Sequence, residues 1–199
     1  MIKIEDINEA EPYRIFIDRY NHALSKNQGS INAISISSLN KKNMIVTSRF
    51  VNLKYIRNDE WIFFSNYNSP KSQDFSQHNQ ISALIYWEKI DFQVRIQATI
   101  SKSSNFISDK HFKNRSKEKN ALAISSKQSN SIDSYKDIVN QYNTTLSNNE
   151  LISNRPKYWG GFSFYPYYFE FWEGHESRLN KREVYEKSND SWKHVILQP

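Results

Sequence analysis

The sequence predicts an α+β fold in which strands dominate: an antiparallel barrel or sandwich with helices at its periphery. Short segments rich in β-branched and aromatic residues follow one another between residues 30 and 103, and polar turn sequences such as NKKN and RND separate them. Segments with apolar residues at helical spacing lie before and after this run. A regular succession of short strands and turns is typical of barrels and sandwiches.

The first element is a predicted helix in EPYRIFIDRYNHAL, residues 11 to 24. Its apolar side chains recur at intervals of three and four positions, which places them on one helix face. These side chains are Tyr13, Phe16, Ile17, Tyr20 and Ala23. The spacing therefore predicts an amphipathic helix before the first strand.

Five strands are predicted next, at residues 30–39, 44–56, 60–66, 80–89 and 92–103. The stretch from about 108 to 150 is polar and helical in pattern, and SIDSYKDIVNQYNTTL places Ile132, Tyr135, Ile138, Val139 and Tyr142 on one face. Three strands follow, at 161–173, 183–187 and 191–197. Because three strands are too few for a core of their own, residues 1–199 are expected to form a single domain with a helical insertion at about 108–150.

Composition limits the classes of function. The chain has 27 Lys and Arg against 21 Asp and Glu, and the resulting charge of +6 favours anionic partners without naming one. It has no Cys, so disulfides, thiolate nucleophiles and zinc ribbons are excluded, and redox chemistry needs a bound cofactor. We expect no metal site, because no cluster of His and carboxylates has metal-ligand spacing.

The sequence also bears on phosphate binding and on cellular location. The chain has four glycines and no Gly-rich phosphate loop, so side chains would have to bind any phosphate. The start MIKIEDINEAEPY is polar and acidic, and no apolar run approaches the length that spans a bilayer. We therefore expect a cytoplasmic protein with no membrane partner.

Several local motifs occur in an order that resembles one known family. They are SRFVNLK (48–54), FSNYNSPK (64–71), FQVR (92–95), KQS (127–129), WGGF (159–162), EFWEG (170–174), SRLNKR (177–182) and the ending WKHVILQP. In this order, and over nearly the whole chain, they resemble the pyridoxamine 5′-phosphate oxidase family, the FMN-dependent enzymes of vitamin B6 synthesis. The resemblance implies an FMN-binding split β-barrel with peripheral helices, and a homodimer with active sites at the subunit interface.

The resemblance also implies which side chains bind FMN. Arg49 is expected at the phosphate, where a bidentate guanidinium suits a dianion, and Lys71 keeps a further cation although Pro70 replaces an arginine. Trp172 and Arg182 are expected to close over the flavin from the other subunit. The remaining cofactor positions implied by the resemblance are Val51, Asn52, Leu53, Lys54, Phe64, Ser65, Gln93, Gln128 and Ser129.

Two of these positions raise a geometric question. Arg49 and Lys54 are five positions apart, so on a regular strand their side chains would point to opposite faces. For both to meet the cofactor, the strand needs a bulge, or one contact has to run through the backbone.

The implied substrate site departs further from the family pattern. The family binds the phosphate of its substrate with a lysine, a tyrosine, an arginine and a serine, which correspond here to Lys54, His111, Arg115 and Lys119. In the family's Arg-Leu-His-Asp-Arg motif, the first arginine and the histidine flank the reacting carbon. Arg178 keeps that arginine and is the catalytic candidate, whereas Asn180 replaces the histidine.

Two enzyme functions remain open. In the first, the protein is a pyridoxine/pyridoxamine 5′-phosphate oxidase, in which FMN takes a hydride and dioxygen reoxidises the flavin to give hydrogen peroxide. In the second, the flavin site is kept but the substrate is another small anionic or aromatic ring compound of secondary metabolism, as in phenazine-type members. The substrate-site departures favour a changed substrate, whereas the overall similarity favours the B6 type.

Two functions without catalysis also remain open. One is a flavin carrier or sensor that binds FMN without turnover. The other is a barrel that binds single-stranded nucleic acid through base stacking and backbone charge. Because the aromatic residues are not visibly interleaved with the lysines as a stacking platform, no nucleic-acid partner is expected.

Overall fold

The computed structural model describes residues 1–199 as ten strands and six helices. The strands are β1 (Lys3–Ile7), β2 (Ala33–Asn40), β3 (Ile45–Asn52), β4 (Tyr55–Asn58), β5 (Glu60–Asn66), β6 (Gln80–Trp87), β7 (Phe92–Lys102), β8 (Trp159–Glu173), β9 (Lys181–Ser188) and β10 (Ser191–Leu197). The helices are α1 (Glu11–Ser25), α2 (Pro70–Gln77), α3 (Asn105–Lys113), α4 (Lys117–Ser125), α5 (Tyr135–Leu146) and α6 (Asn149–Ser153). This mixture confirms the predicted α+β class.

All ten strands belong to one sheet with the order β1-β4-β5-β8-β7-β6-β2-β3, to which β9 adds beside β8 and β10 beside β9. The pair β1–β4 is parallel, and the others are antiparallel. The long strand β8 changes partner along its length: residues 159–164 pair with β5, whereas residues 168–173 pair with β9. Because β7 runs beside both halves, β8 joins two parts of the sheet.

The core lies between this sheet and α1. Phe16 is fully buried, and its ring centroid lies 4.5 Å from that of Trp61 and 5.5 Å from that of Trp87. Tyr20 and Ala23 are buried on the same face of the helix. The predicted N-terminal helix is confirmed, and burial of each large apolar side chain contributes roughly 1.5–3 kcal/mol to its docking.

The single strand predicted at 44–56 is two strands in the structure, separated by Leu53 and Lys54. Leu53 is completely buried, and the backbone changes its partner at this point. The amide of Leu53 donates to the carbonyl of Asn32, whereas the amide of Lys54 donates to the carbonyl of Ile62 on β5. The chain therefore leaves β2 and joins the other part of the sheet within two residues.

The sequence patterns do not predict β1 or α2. Helix α2 begins at Pro70 within NSPKSQD, which reads as a turn because Pro is frequent both in turns and at the first position of a helix. Four helices, α3 to α6, occupy the polar stretch between β7 and β8 that is predicted as helical. That residues 1–199 form a single domain stays a prediction. None of the six helices combines the length and the apolar character that a bilayer span requires.

Candidate functional site

A cavity of about 900 Å³ lies where β3 and β5 meet α2, α3 and α4. Its wall contains five cationic side chains: Arg49, Lys54, Lys71, Arg115 and Lys119. The lining includes no Asp or Glu. A concave site with charge of one sign concentrates ligands of the opposite sign, so the cavity is suited to an anion.

Arg49 is held in place by hydrogen bonds from its guanidinium. One terminal nitrogen donates to the carbonyl of Ile36 at 3.0 Å and to the hydroxyl of Ser38 at 2.8 Å, and the other donates to the hydroxyl of Thr47. The Ser38 hydroxyl in turn donates to the buried carboxylate of Asp74 at 2.7 Å. Burial lowers the pKa of Arg49, and the charge of Asp74 opposes that shift.

Lys71 lies at the start of α2 and is buried without a carboxylate beside it. Its ammonium donates to the hydroxyls of Ser65 and Ser69, both at 3.1 Å, and to the amide oxygen of Gln128 at 3.3 Å. Burial, together with the charge of Arg49, lowers the pKa of Lys71 to about 8. A bound anion would supply the compensating charge that these neutral partners lack.

Lys54 and Arg49 line the same cavity despite their odd separation. The regular alternation of side chains stops between β3 and β4, and Lys54 lies in that break. Burial lowers the pKa of Lys54, and the nearby charges of Lys119 and Arg115 lower it further. The geometric question raised by the sequence is resolved by the exchange of strand partners.

Aromatic rings form another part of the wall. The imidazole of His111 stacks on Phe64 at 3.7 Å between centroids, with 9° between the planes. The guanidinium carbon of Arg115 lies 4.3 Å from the ring centroid of Trp159. Such contacts favour flat or cationic groups at the ring faces and hold both side chains against the wall.

His111 is neutral in this setting. Burial, followed by the charges of Arg115, Lys54 and Lys119, lowers the pKa of His111 to about 4. Burial also lowers the pKa of Arg115 to about 10. The Nδ1 atom of His111 lies 2.9 Å from the hydroxyl oxygen of Tyr55.

Most residues that the sequence places at the site line this one cavity. They are Arg49, Val51, Asn52, Lys54, Phe64, Ser65, Lys71, His111, Arg115, Lys119, Gln128 and Ser129. The Ser65 hydroxyl donates to Gln128 at 3.2 Å, and Ser129 has a left-handed backbone with φ of 71°. Leu53 is different, since its side chain is buried in the core and does not line the cavity.

Five predicted site residues do not reach the cavity of their own chain: Gln93, Trp172, Arg178, Asn180 and Arg182. Gln93, Trp172 and Arg182 are direct neighbours across three strands, because Gln93 pairs with Trp172 and Trp172 pairs with Arg182. Arg178 and Asn180 lie in the loop between β8 and β9. In this loop Arg178 has a φ of 59°, and the Asn180 side chain accepts a hydrogen bond from the amide of His175.

A buried carboxylate holds Arg182. Glu170 is 2% exposed, and it accepts hydrogen bonds from Arg182 at 2.9 Å and from Arg95 at 2.7 Å. The carbonyl of Gln198 accepts a further bond from Arg182. Arg182 is thus fixed on the sheet, away from the cavity wall described above.

Several residues that line the cavity are not predicted from the sequence. Thr47, Phe50, Asn114, Ser116 and Trp159 also face the cavity. For Trp159 the motif WGGF was a signal, although alternating aromatics on a strand usually mark the core. For Ser116 the signal was local: its hydroxyl accepts from the amide of Lys119 and caps α4.

By sequence, this chain is similar to known proteins that carry the names of one family. A sequence profile described as the pyridoxine 5′-phosphate oxidase C-terminal dimerisation region matches residues 159–199. The pyridoxine/pyridoxamine 5′-phosphate oxidase of Christiangramia forsetii is 34% identical over 192 residues, which cover 95% of this chain and 89% of that protein. Pyridoxine/pyridoxamine 5′-phosphate oxidase 1 of Hydrogenovibrio crunogenus is 31% identical over 194 residues, with 96% and 89% covered.

Solved structures show the same fold at lower identity. PhzG from Burkholderia lata, in complex with tetrahydrophenazine-1-carboxylic acid, superposes with a TM-score of 0.88 at 22% identity, covering 96% of this chain and 93% of that one. A pyridoxamine 5′-phosphate oxidase-related, FMN-binding protein from Nostoc punctiforme has a TM-score of 0.78 at 12% identity, with 96% and 99% covered. The predicted split-barrel fold is confirmed by these likenesses.

Proposed function

Because the chain belongs to the pyridoxine/pyridoxamine 5′-phosphate oxidase family, we propose that it is an FMN-dependent oxidase of that type. One observation carries the proposal: the five cations of the cavity form two groups. Arg49 acts on the pKa of Lys71, whereas Lys54, Arg115 and Lys119 together act on that of His111. Two groups of cations in one cavity would suit a phosphorylated cofactor beside a phosphorylated substrate.

The first group fits the FMN phosphate. Lys71 is buried among neutral oxygen atoms, and Arg49 is braced by backbone and hydroxyl groups, so both present positive charge with no carboxylate in the lining. A phosphate dianion would satisfy both through charge-assisted hydrogen bonds. Ser65, Gln128 and Ser129 would add neutral hydrogen bonds to the cofactor.

The second group fits the anionic part of the substrate. Lys54 lies in the break between β3 and β4, Arg115 follows α3 and Lys119 lies at the start of α4, and the charges of Lys119 and Arg115 add to burial in lowering the pKa of Lys54. An anion relieves that repulsion, and a dianionic phosphate relieves it more than a single carboxylate does. This charge count favours the B6 type as the leading function.

FMN, when bound, would supply hydride acceptance from the substrate and reoxidation by dioxygen with release of hydrogen peroxide. The chain's own contribution is to bind and orient. The two cation groups fix the two anions, and the stacked His111 and Phe64 limit where a flat substrate ring can lie.

A homodimer would complete the site. Gln93, Trp172 and Arg182 form one row on the sheet that does not reach the cavity of the same chain. On the proposed assembly this row and the loop carrying Arg178 meet the cavity of the other subunit. The matched dimerisation region, residues 159–199, includes Trp172, Arg178 and Arg182 and supports this arrangement.

The alternative is an FMN-dependent oxidase of another ring compound, of the phenazine type. Its support is the substrate end of the site, where Asn180, His111 and Lys119 depart from the family pattern and an aromatic wall is present. PhzG, which has a closely similar fold, is solved in complex with tetrahydrophenazine-1-carboxylic acid, so that protein binds a ring compound of this kind.

A peroxide-release assay tests both functions. Purified protein reconstituted with FMN is supplied with pyridoxamine 5′-phosphate, pyridoxine 5′-phosphate or dihydro-aromatic carboxylic acids, and peroxide is measured. Turnover of the phosphorylated vitamers supports the leading function, and turnover of the carboxylic acids alone supports the alternative. Flavin absorbance without peroxide from any of them would indicate a flavin-binding protein, and failure to bind FMN would reject the proposal.

A further inference from the structure

Tyr55 is a neighbour of the cavity for which neither the sequence motifs nor the comparisons suggest a role. It is the first residue of β4, and its hydroxyl oxygen lies 2.9 Å from Nδ1 of His111. The two rings meet edge to face, with centroids 5.4 Å apart. The imidazole also stacks on the ring of Phe64, which holds the plane of the imidazole parallel to that ring. The two contacts together fix both the position and the orientation of the His111 ring.

The second nitrogen of His111 is the one that remains available to a ligand. Nδ1 is engaged by Tyr55. Nε2 has no hydrogen-bond partner within the chain, and it is not a buried atom left without a partner. Because His111 lines the cavity, Nε2 is its polar atom for a bound group.

Four titratable side chains surround this imidazole. Arg115 follows α3, Lys54 lies in the β3–β4 break, Lys119 belongs to α4 and Tyr55 to β4. With three cations facing it, a ring nitrogen is favoured as an acceptor that turns its lone pair towards them. With an anion in the cavity, the same nitrogen is favoured as a donor.

A neutral imidazole carries one ring proton, so Nε2 can change from acceptor to donor only if Nδ1 changes from donor to acceptor. The group that is hydrogen-bonded to Nδ1 must then be able to both accept and donate. A hydroxyl both donates and accepts, so Tyr55 can accept from Nδ1–H or donate to an unprotonated Nδ1. The exchange removes one proton from Nδ1 and adds one at Nε2 through water, and the charge of His111 does not change.

We propose that Tyr55 is a positioning residue that lets the imidazole of His111 change from hydrogen-bond acceptor to donor when the anionic group of the substrate enters the cavity. This inference rests on the proposed function in taking that group to be the substrate's. It gives the site a directional hydrogen bond to the anion in addition to the charges of Lys54, Arg115 and Lys119.

Nitrogen NMR of the imidazole tests the inference with inorganic phosphate as the probe. The FMN-loaded protein is used so that the cofactor phosphate site is filled, and the His111 signals are assigned with His111→Gln. Without phosphate we expect a protonated Nδ1 and an unprotonated Nε2, and with saturating phosphate the reverse. His111 nitrogen signals that are the same with and without phosphate would overturn the inference.

Tyr55→Phe supplies the second measurement. It removes only the hydroxyl, so we expect the nitrogen exchange to be lost and phosphate affinity to fall about three- to tenfold, the size of one neutral hydrogen bond. Tyr67→Phe is the matched control, because Tyr67 is also half-buried but donates to the carbonyl of Gly161 outside the cavity lining. The control should keep both the exchange and the affinity.

Two outcomes separate this inference from the proposed function. If Tyr55→Phe binds phosphate and shifts its His111 signals as the unaltered protein does, the role of Tyr55 is rejected while FMN binding and turnover stand. If the protein takes up no FMN, the proposed function fails. The His111 signals of the FMN-free protein then still report whether phosphate changes the protonated nitrogen.

Discussion

The Nζ atom of Lys71 lies 3.1 Å from the hydroxyl oxygen of Ser65, and every hydrogen-bond partner of this ammonium is neutral. Burial and the charge of Arg49 lower the pKa of Lys71 to about 8, from an ordinary value of 10.5. The Lys71 ammonium therefore loses its proton more readily than an ordinary lysine, and an anion bound beside it would favour the charged form.

The pKa of Lys71 predicts a pH dependence of FMN affinity. Below about pH 8 the ammonium is charged before FMN binds, whereas above it FMN has to bind together with a proton. We expect affinity to fall as pH rises from 7.5 to 9.5, by up to about tenfold per pH unit. Fluorescence titration with FMN measures it, and riboflavin, which lacks the phosphate, is the control and should show a much flatter profile. Equal profiles for FMN and riboflavin would contradict a phosphate contact by Lys71.

The same lysine predicts an opposite effect on stability. Its folded pKa is depressed, so the charged form destabilises the FMN-free protein below about pH 8, and this penalty is lost as pH rises towards 10.5. Lys71→Met should therefore raise the free energy of unfolding near pH 7 by roughly 1–3 kcal/mol, and the gain should shrink above pH 8. Urea unfolding at pH 7 and pH 9.5 provides the comparison. A loss of stability at pH 7 would mean that the three neutral hydrogen bonds outweigh the cost of burying the charge.

Arg49→Ala should weaken FMN retention selectively. Hydrogen bonds to charged groups contribute roughly 1.5–3 kcal/mol, which corresponds to a tenfold or larger loss of FMN affinity with little change for riboflavin. Arg14→Ala is the matched control, because Arg14 is exposed on α1 and does not line the cavity. Unchanged FMN affinity in Arg49→Ala would remove Arg49 from the phosphate site.

The double substitution Asn180→His with Lys119→Ser tests the divergence of the substrate site. If the protein is a diverged B6 enzyme, restoring both residues of the family pattern should raise turnover of pyridoxamine 5′-phosphate severalfold in the peroxide assay. The reason is that a neutral serine and an imidazole return the shape and hydrogen bonding for which that substrate is suited. Turnover that stays at the starting level would instead favour a different ring substrate.

The exposed apolar face of the sheet predicts where the two subunits of the proposed homodimer meet. Phe50, Leu84 and Tyr86 are 75%, 39% and 52% exposed, and strand pairing places them on the face that carries Gln93. Leu84→Lys adds a cation opposite Arg95, so we expect a shift to monomer and a loss of FMN affinity. Leu24→Lys on α1 has similar starting exposure, 38%, and should change neither. Sedimentation and FMN titration are the measurements, and a Leu84→Lys dimer with normal affinity would place the interface elsewhere.

Much of the fold follows from local patterns. The N-terminal helix and the strand at 60–66 are where alternation and helical spacing predict them, because each element depends on residues close together in the chain. Helix α2 and the division of 44–56 do not follow from such patterns. The first depends on a proline that suits a turn equally well, and the second on which strands the chain meets on either side of Leu53.

The residue types of the candidate site can likewise be read from the chain. The order of the motifs predicts Arg49, Lys71 and Gln128 as site residues, and in the structure all three line one cavity. Their roles towards FMN stay predictions. Tyr55 has no such signal, since only the approach of α3 to β4 brings its hydroxyl to His111.

By itself the sequence determined the α+β class, the amphipathic first helix, the excess of positive charge and the side chains able to bind phosphate. Only the tertiary structure decided that Arg49 and Lys54 face one cavity, that Lys71 and His111 have lowered pKa values, and that Gln93, Trp172 and Arg182 form a row outside it. The physical reason is that periodicity and composition are properties of neighbouring residues. Burial, charge proximity and strand register depend instead on segments that are distant in the chain and meet only after folding.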